Sequence, residues 1–177
     1  HKFTIVGHDW GGAIAWSVAL NGQPMAMNPI WAGRVTRVII ANAPHPFIFQ
    51  QLLLCDKEQR AASQYIRDFR NTDNDALVRE SGLTGLLAKV VKWERPSAME
   101  PAERDALLTD WKRPETVIGM LNWYRASTLQ VPSMDEPFQA RGSAKVAFPV
   151  LTTPTLVIWA MDDLALPGSN LDGLEEL

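Results

Sequence analysis

The sequence is poor in the residues that most often announce a special chemistry: one cysteine, three histidines and two tyrosines in 177 residues. A single thiol, Cys55, rules out an internal disulfide framework and fits a reducing, cytoplasmic setting. The histidines, His1, His8 and His45, are scattered without ligand spacing such as H-x-x-x-H, so no metal site is expected. Lys and Arg number 17 against 20 Asp and Glu, a net charge of −3. That balance argues against a nucleic-acid partner, because a phosphate-binding face needs a basic surplus. No apolar run approaches the roughly 20 residues that span a bilayer, and nothing resembles a secretory signal. Internal repeats and low-complexity tracts are also lacking.

What is present is the composition of a globular chain, 46% hydrophobic and 21% charged. Three short β-branched apolar runs read as buried parallel strands: "KFTIVG" (2–7), "RVTRVIIANA" (34–43) and "PTLVIWA" (154–160). A helix over 11–20 joins the first two into a βαβ unit, and residues 21–33, with two prolines and two glycines, read as an irregular loop. Between Ala43 and Pro154 the apolar spacing is helical, in "FQQLLLCDKEQRAASQYIRDF", "LTGLLAKVVKW", "AERDALLTDW" and "ETVIGMLNWYRAS". Pro101 and Pro114 stand at first-turn positions with acidic residues just after them. A helical block inserted between strands of a parallel sheet is a lid on that sheet. The expected division is therefore core 1–45, helical cap 46–148 and core 149–177. Within the cap, "DKEQR" (56–60) reads as a solvated helix face, and Trp93, Trp111, Trp123 and Trp159 as packing residues. The chain opens on His1 directly before a strand and closes on "LDGLEEL", which reads as helix. It is expected to be a piece of a longer protein.

The chemistry concentrates in "GHDWGG" (7–12), a strand, tight turn and helix that fit the nucleophile-elbow pattern, with Asp9 at the position that usually holds serine. The turn strains the central residue, and Gly7 and Gly11 are expected to relieve the crowding around it. Asp9 then stands above the carboxyl ends of the strands, beside the partial positive charge of a helix amino end. A carboxylate is a poor nucleophile for esters and amides, where it would form only an anhydride. Against an electrophilic sp³ carbon it forms an ester that water can cleave. The residue type thus points to displacement at carbon, with a strained ether oxygen or a halide leaving. Two plainer readings stand beside this one: a phosphate-binding turn, which lacks G-x-G-x-x-G spacing and would set Asp9 against the anion, and a simple helix cap.

"VGHDWGGAIAW", "NAPHP", "NWYR" and "PTLVIWAMDDLALP" together resemble the epoxide hydrolases of the soluble and bacterial type. That resemblance implies an α/β-hydrolase fold, here a partial parallel sheet with an inserted all-helical lid. It also implies hydrolysis of an apolar epoxide by water to a vicinal diol, through an ester on Asp9, with no cofactor. Two lid tyrosines would hold and protonate the epoxide oxygen, a role suited to a phenol with a pKa near 10. Tyr124, in "MLNWYRAS", and Tyr65, in "ASQYIRDFR", are the counterparts, and packing at a helix interface is the plainer role for each. The Trp10 N–H would supply half of an oxyanion hole. The acid that orients the base follows "PTLVIWA"; the family pattern selects Asp163 over Asp162, and the alternative site after the preceding strand holds Asn42, which cannot ionise. The catalytic histidine and the other oxyanion donor would lie outside residues 1–177, so this chain alone is expected not to turn over. His45 is expected to be structural. A haloalkane or haloacetate dehalogenase, and a hydrolase-derived receptor without turnover, share the fold and are the rival functions.

Overall fold

The apolar run after Lys2 forms strand β1 (Phe3–His8), which enters helix α1 (Trp10–Asn21) through the single residue Asp9. The second run gives β2 (Val35–Ala41) and the last β3 (Thr155–Ile158). The computed structural model describes residues 1–23, 33–90, 100–142 and 150–177, so most of the loop expected over 21–33 lies outside the described residues. Among the described residues all pairings are parallel, with β2 central in the order β1-β2-β3; Gly7 stands opposite Ile40, and Ile40 opposite Val157. Parallel pairing brings the carboxyl ends of all three strands to one edge, where His8, Ala41 and Ile158 are register partners.

Residues alternate across a strand, and here the alternation divides the sheet sharply. Val38 and Ile40 are buried against Ala15, Trp16 and Ala19 of α1, with Phe3, Ile5 and Val157 packed alongside. The other face carries Val6, Leu156 and Ile158, each more than half exposed. The strands were expected to be buried on both faces; among the described residues α1 covers one.

The polypeptide forms two compact units, residues 1–62 with 132–177, and residues 63–131. Their boundaries fall inside the 46–148 block expected as a cap, because the first helices after β2 pack with the sheet-bearing unit. The single helical run expected over 49–69 is divided into α2 (Pro46–Cys55), α3 (Lys57–Ala62) and α4 (Gln64–Arg70). Asp56 is the break after α2: its backbone is extended, and its Oδ1 accepts the Gln59 N–H at 2.7 Å, a local bond that competes with the helix.

Within the "DKEQR" run only Lys57 and Glu58 form a solvated face. Gln59 and Arg60 are fully buried. The Arg60 guanidinium donates to the carbonyls of Leu53 (2.8 Å), Leu54, Ser133 (3.4 Å) and Glu136 (2.8 Å), and lies 3.6 Å from the centre of the Phe138 ring. It thereby ties the stretch before α3 to residues 133–138. The closing segment folds into short 3₁₀ turns, Gly168–Leu171 and Leu174–Glu176, not the helix its pattern suggested.

The described helices of the second unit are α4, a 3₁₀ turn (Thr72–Asn74), α5 (Asp75–Val90), α6 (Pro101–Asp110) and α7 (Pro114–Ala126). Pro101 and Pro114 occupy first-turn positions as expected, with Glu103 and Glu115 in those turns. Helix α5 kinks at Gly82 (φ 65°), a conformation that costs glycine little, and the kink lets the Leu83 N–H reach the Trp111 carbonyl at 2.9 Å. Phe69, Val78, Leu86, Val117 and Leu121 form this unit's core, with Trp111 packed against it. Trp93 lies outside the described residues, and Trp123 is 52% exposed. No described helix is long and apolar enough to cross a membrane.

Candidate active site

Asp9 has φ 51° and ψ −126°, a backbone state that non-glycine residues enter only under constraint. Its N–H donates to the Ala41 carbonyl at 3.4 Å, and its own carbonyl accepts the Ala13 N–H at 3.0 Å, opening the helix ladder. The side chain makes no capping bond to the helix and is exposed at the carboxyl edge of the sheet. A carboxylate that merely capped α1 would accept a first-turn N–H; this one does not.

The glycines that permit the bend differ from those expected. A Cβ on Gly7 would meet the Gly11 carbonyl group and come within 2.7 Å of Gly12 Cα, and one on Gly12 would collide with the Ala43 Cβ. Gly11 has open space where its Cβ would be. The close approach of α1 to the sheet therefore runs through Gly7 and Gly12. Trp10, the first residue of α1, is where helix N–H groups point out of the helix end.

Asp163 stands in the loop after β3, half-buried, whereas Asp162 is exposed. Its Oδ1 accepts N–H bonds from Ala165 (2.8 Å) and Leu166 (3.1 Å), and its Oδ2 accepts the Asn42 Nδ2 at 2.8 Å. Asn42 follows β2 with φ 39°, and its Oδ1 accepts the Ala160 N–H at 2.9 Å. One amide side chain thus links the ends of two neighbouring strands and meets the carboxylate between them. The indole of Trp159 adds a bond to the Leu166 carbonyl at 3.2 Å. Asp9, Trp10, Asn42 and Asp163 all belong to the loops and helix start at the carboxyl edge of the sheet, where open α/β sheets place their ligands.

The helical unit brings the two tyrosines together. Their ring centroids are 5.9 Å apart at 79°, and Phe69 meets both, at 5.3 Å from Tyr65 and 4.9 Å from Tyr124. Such edge-to-face contacts are favourable ring geometry. The pairing is held by crossed arginines. Arg70 of α4 donates to the carbonyls of Tyr124 (2.9 Å) and Ser127 (3.1 Å), and Arg125 of α7 donates to the Phe69 carbonyl (3.2 Å) and pairs with Asp75.

His45 is 2% exposed at the start of α2, edge-on to the Trp16 ring at 5.0 Å. Burial pushes its imidazole down to about 4, which keeps it neutral at pH 7 and fits a structural residue. No group of three or more candidate ligands able to hold a metal ion occurs among the described residues.

No family model matches the chain. It is 29% identical over 167 residues to the AB hydrolase superfamily protein YfhM of Bacillus subtilis, covering 92% of this chain and 50% of that protein. A solved epoxide hydrolase of the α/β hydrolase superfamily, from metagenomes of hot environments, is 63% identical with a TM-score of 0.86 over 99% of this chain and 56% of its own. The chain thus has the α/β-hydrolase fold and is similar along almost its whole length to a solved epoxide hydrolase. A point mutant of the Bacillus megaterium epoxide hydrolase, solved with its product (R)-3-[1]naphthyloxy-propane-1,2-diol, is 25% identical with a TM-score of 0.69, covering 99% of this chain and 57% of its own. The chain spans about half the length of the curated relatives that it matches. Three polar residues around the loop that carries Asp163 escaped the sequence reading: Asn42, noted only as unable to ionise, and Gln59 and Asn170, which no motif marks.

Proposed function

We propose that the protein to which this chain belongs hydrolyses apolar epoxides to vicinal diols through an ester on Asp9. The observation that carries this reading is Asp9 itself: a carboxylate on a strained strand-to-helix bend, uncommitted to the helix it precedes. An Oδ of Asp9 forms a bond to an oxirane carbon as the C–O bond breaks. The electron pair goes to the ring oxygen, which takes a proton from Tyr65 or Tyr124. Water, deprotonated by a histidine outside residues 1–177 that Asp163 orients, adds to the ester carbonyl while the Trp10 N–H holds the oxyanion. Collapse breaks the ester C–O bond; the histidinium proton goes to the departing alkoxide and the Asp9 carboxyl proton returns to the tyrosinate. This releases the diol and restores the carboxylate, the imidazole and the phenol. The paired phenols support an alkoxide leaving group over a halide, which needs no proton. The free thiol of Cys55 supports a cytoplasmic setting.

The full-length protein tests this. With alanine at the base histidine, intact-mass analysis is expected to show an adduct of one epoxide on the peptide containing Asp9. Tyr65→Phe and Tyr124→Phe are each expected to slow adduct formation by about a hundredfold. Halide release from haloalkanes at rates that survive both substitutions would overturn the reading in favour of a dehalogenase.

A further inference from the structure

The loop that carries Asp163 is pinned by a helix that the chemistry above does not use. Gln59 on α3 is fully buried; its Nε2 donates to the Ala165 carbonyl at 2.9 Å, and its Oε1 accepts the Asn170 Nδ2 at 2.6 Å. Asn170, 1% exposed, also donates to the Pro167 carbonyl at 2.8 Å. The Ala165 carbonyl and the Leu166 N–H belong to one rigid peptide plane, and that N–H is one of the two that meet Asp163 Oδ1. Gln59 therefore grips, on its far side, the peptide group that grips the carboxylate. An amide buried without partners costs about 1–3 kcal/mol, and an apolar side chain of similar size would fill the same space without that risk. What two buried amides add is direction.

We propose that Gln59, backed by Asn170, is a positioning residue for Asp163. It fixes the Ala165–Leu166 peptide and with it the direction in which the carboxylate meets its histidine. The proposal rests on the reading of Asp163 as the acid. Asp163 acts in ester hydrolysis and not in ring opening, so the effect falls on one step only. When hydrolysis slows and alkylation does not, kcat and KM fall together and kcat/KM is preserved.

The experiment follows formation and decay of the Asp9 adduct by rapid-quench intact mass in the full-length protein, with 1-naphthyl glycidyl ether as probe. It compares Gln59→Leu, Asn170→Ala and Asp163→Asn, with thermal unfolding of each as the check on folding. Gln59→Leu and Asn170→Ala are expected to slow adduct decay by about tenfold, the worth of one hydrogen bond, while formation stays within about twofold. Decay at the parental rate in both, or equal losses in both steps, overturns the positioning role. If Gln59→Leu does not fold, Asn170→Ala decides alone. Decay that Asp163→Asn leaves untouched overturns the acid reading itself. Decay slowed by Asp163→Asn but by neither other variant overturns only the role of Gln59.

Discussion

At Asp9 and at Asn42 the backbone is held at positive φ, and both residues stand at the carboxyl ends of neighbouring strands. Such states cost roughly 1–3 kcal/mol each and persist only where the surroundings over-determine them. At Asp9 the surroundings are the sheet hydrogen bond to Ala41 and the helix that starts one residue later. Relief of this strain is measurable. Asp9→Gly in the full-length protein is expected to raise stability by about 1 kcal/mol in chemical denaturation while abolishing diol formation. Unchanged or lower stability would show that the bend is not strained. The motif announced Asp9 because the elbow is local, its glycines lying within three residues. Asn42 has no such local signature, since its partners are Ile158, Ala160 and Asp163.

The contact between α1 and the sheet rests on Gly12 meeting Ala43. Gly12→Ala is expected to destabilise the protein by about 1–3 kcal/mol through overpacking. Gly11→Ala, with open space at its Cβ, is expected to be neutral or to stabilise by up to about 1 kcal/mol. Equal effects in denaturant unfolding would overturn this account of the elbow. The same scale governs Arg60, whose fork serves carbonyls on both sides of the helical unit's sequence. Arg60→Met leaves those carbonyls to find other partners and is expected to cost about 3 kcal/mol. Arg60→Lys is expected to recover little of it, because a single ammonium cannot reproduce a planar fork. A lysine variant as stable as the parent would argue against the fork. Charge and spacing made Gln59 and Arg60 look solvent-facing. Beside the nearby Leu53 and Leu54 carbonyls, their acceptors at Ala165 and at 133–136 are distant in sequence, and no helical pattern encodes them.

For the protein as a whole, buried His45 sets a pH dependence. Its folded value of about 4 lies below the usual 6.5, so the unfolded chain binds the proton more readily. The stabilisation is complete above the unfolded value and is lost as pH falls from about 6.5 to about 4, to a maximum of about 3 kcal/mol. Denaturant titrations at pH 7 and pH 4.5 are expected to show a smaller loss in a folded His45→Gln variant than in the parent. An equal loss in both would assign the acid sensitivity to carboxylates alone.

The sequence by itself determined the strands, the helical insertion, the elbow residue and, by resemblance, the α/β-hydrolase fold. Each of these is written in short-range spacing or in a contiguous motif. Only the tertiary structure decided that the two tyrosines share a ring contact, that Gly12 and not Gly11 admits the sheet, and that a buried glutamine reaches the acid loop. Those facts depend on side chains converging from distant positions, where the free energy of a buried hydrogen bond or a steric overlap is set by geometry that no local pattern records.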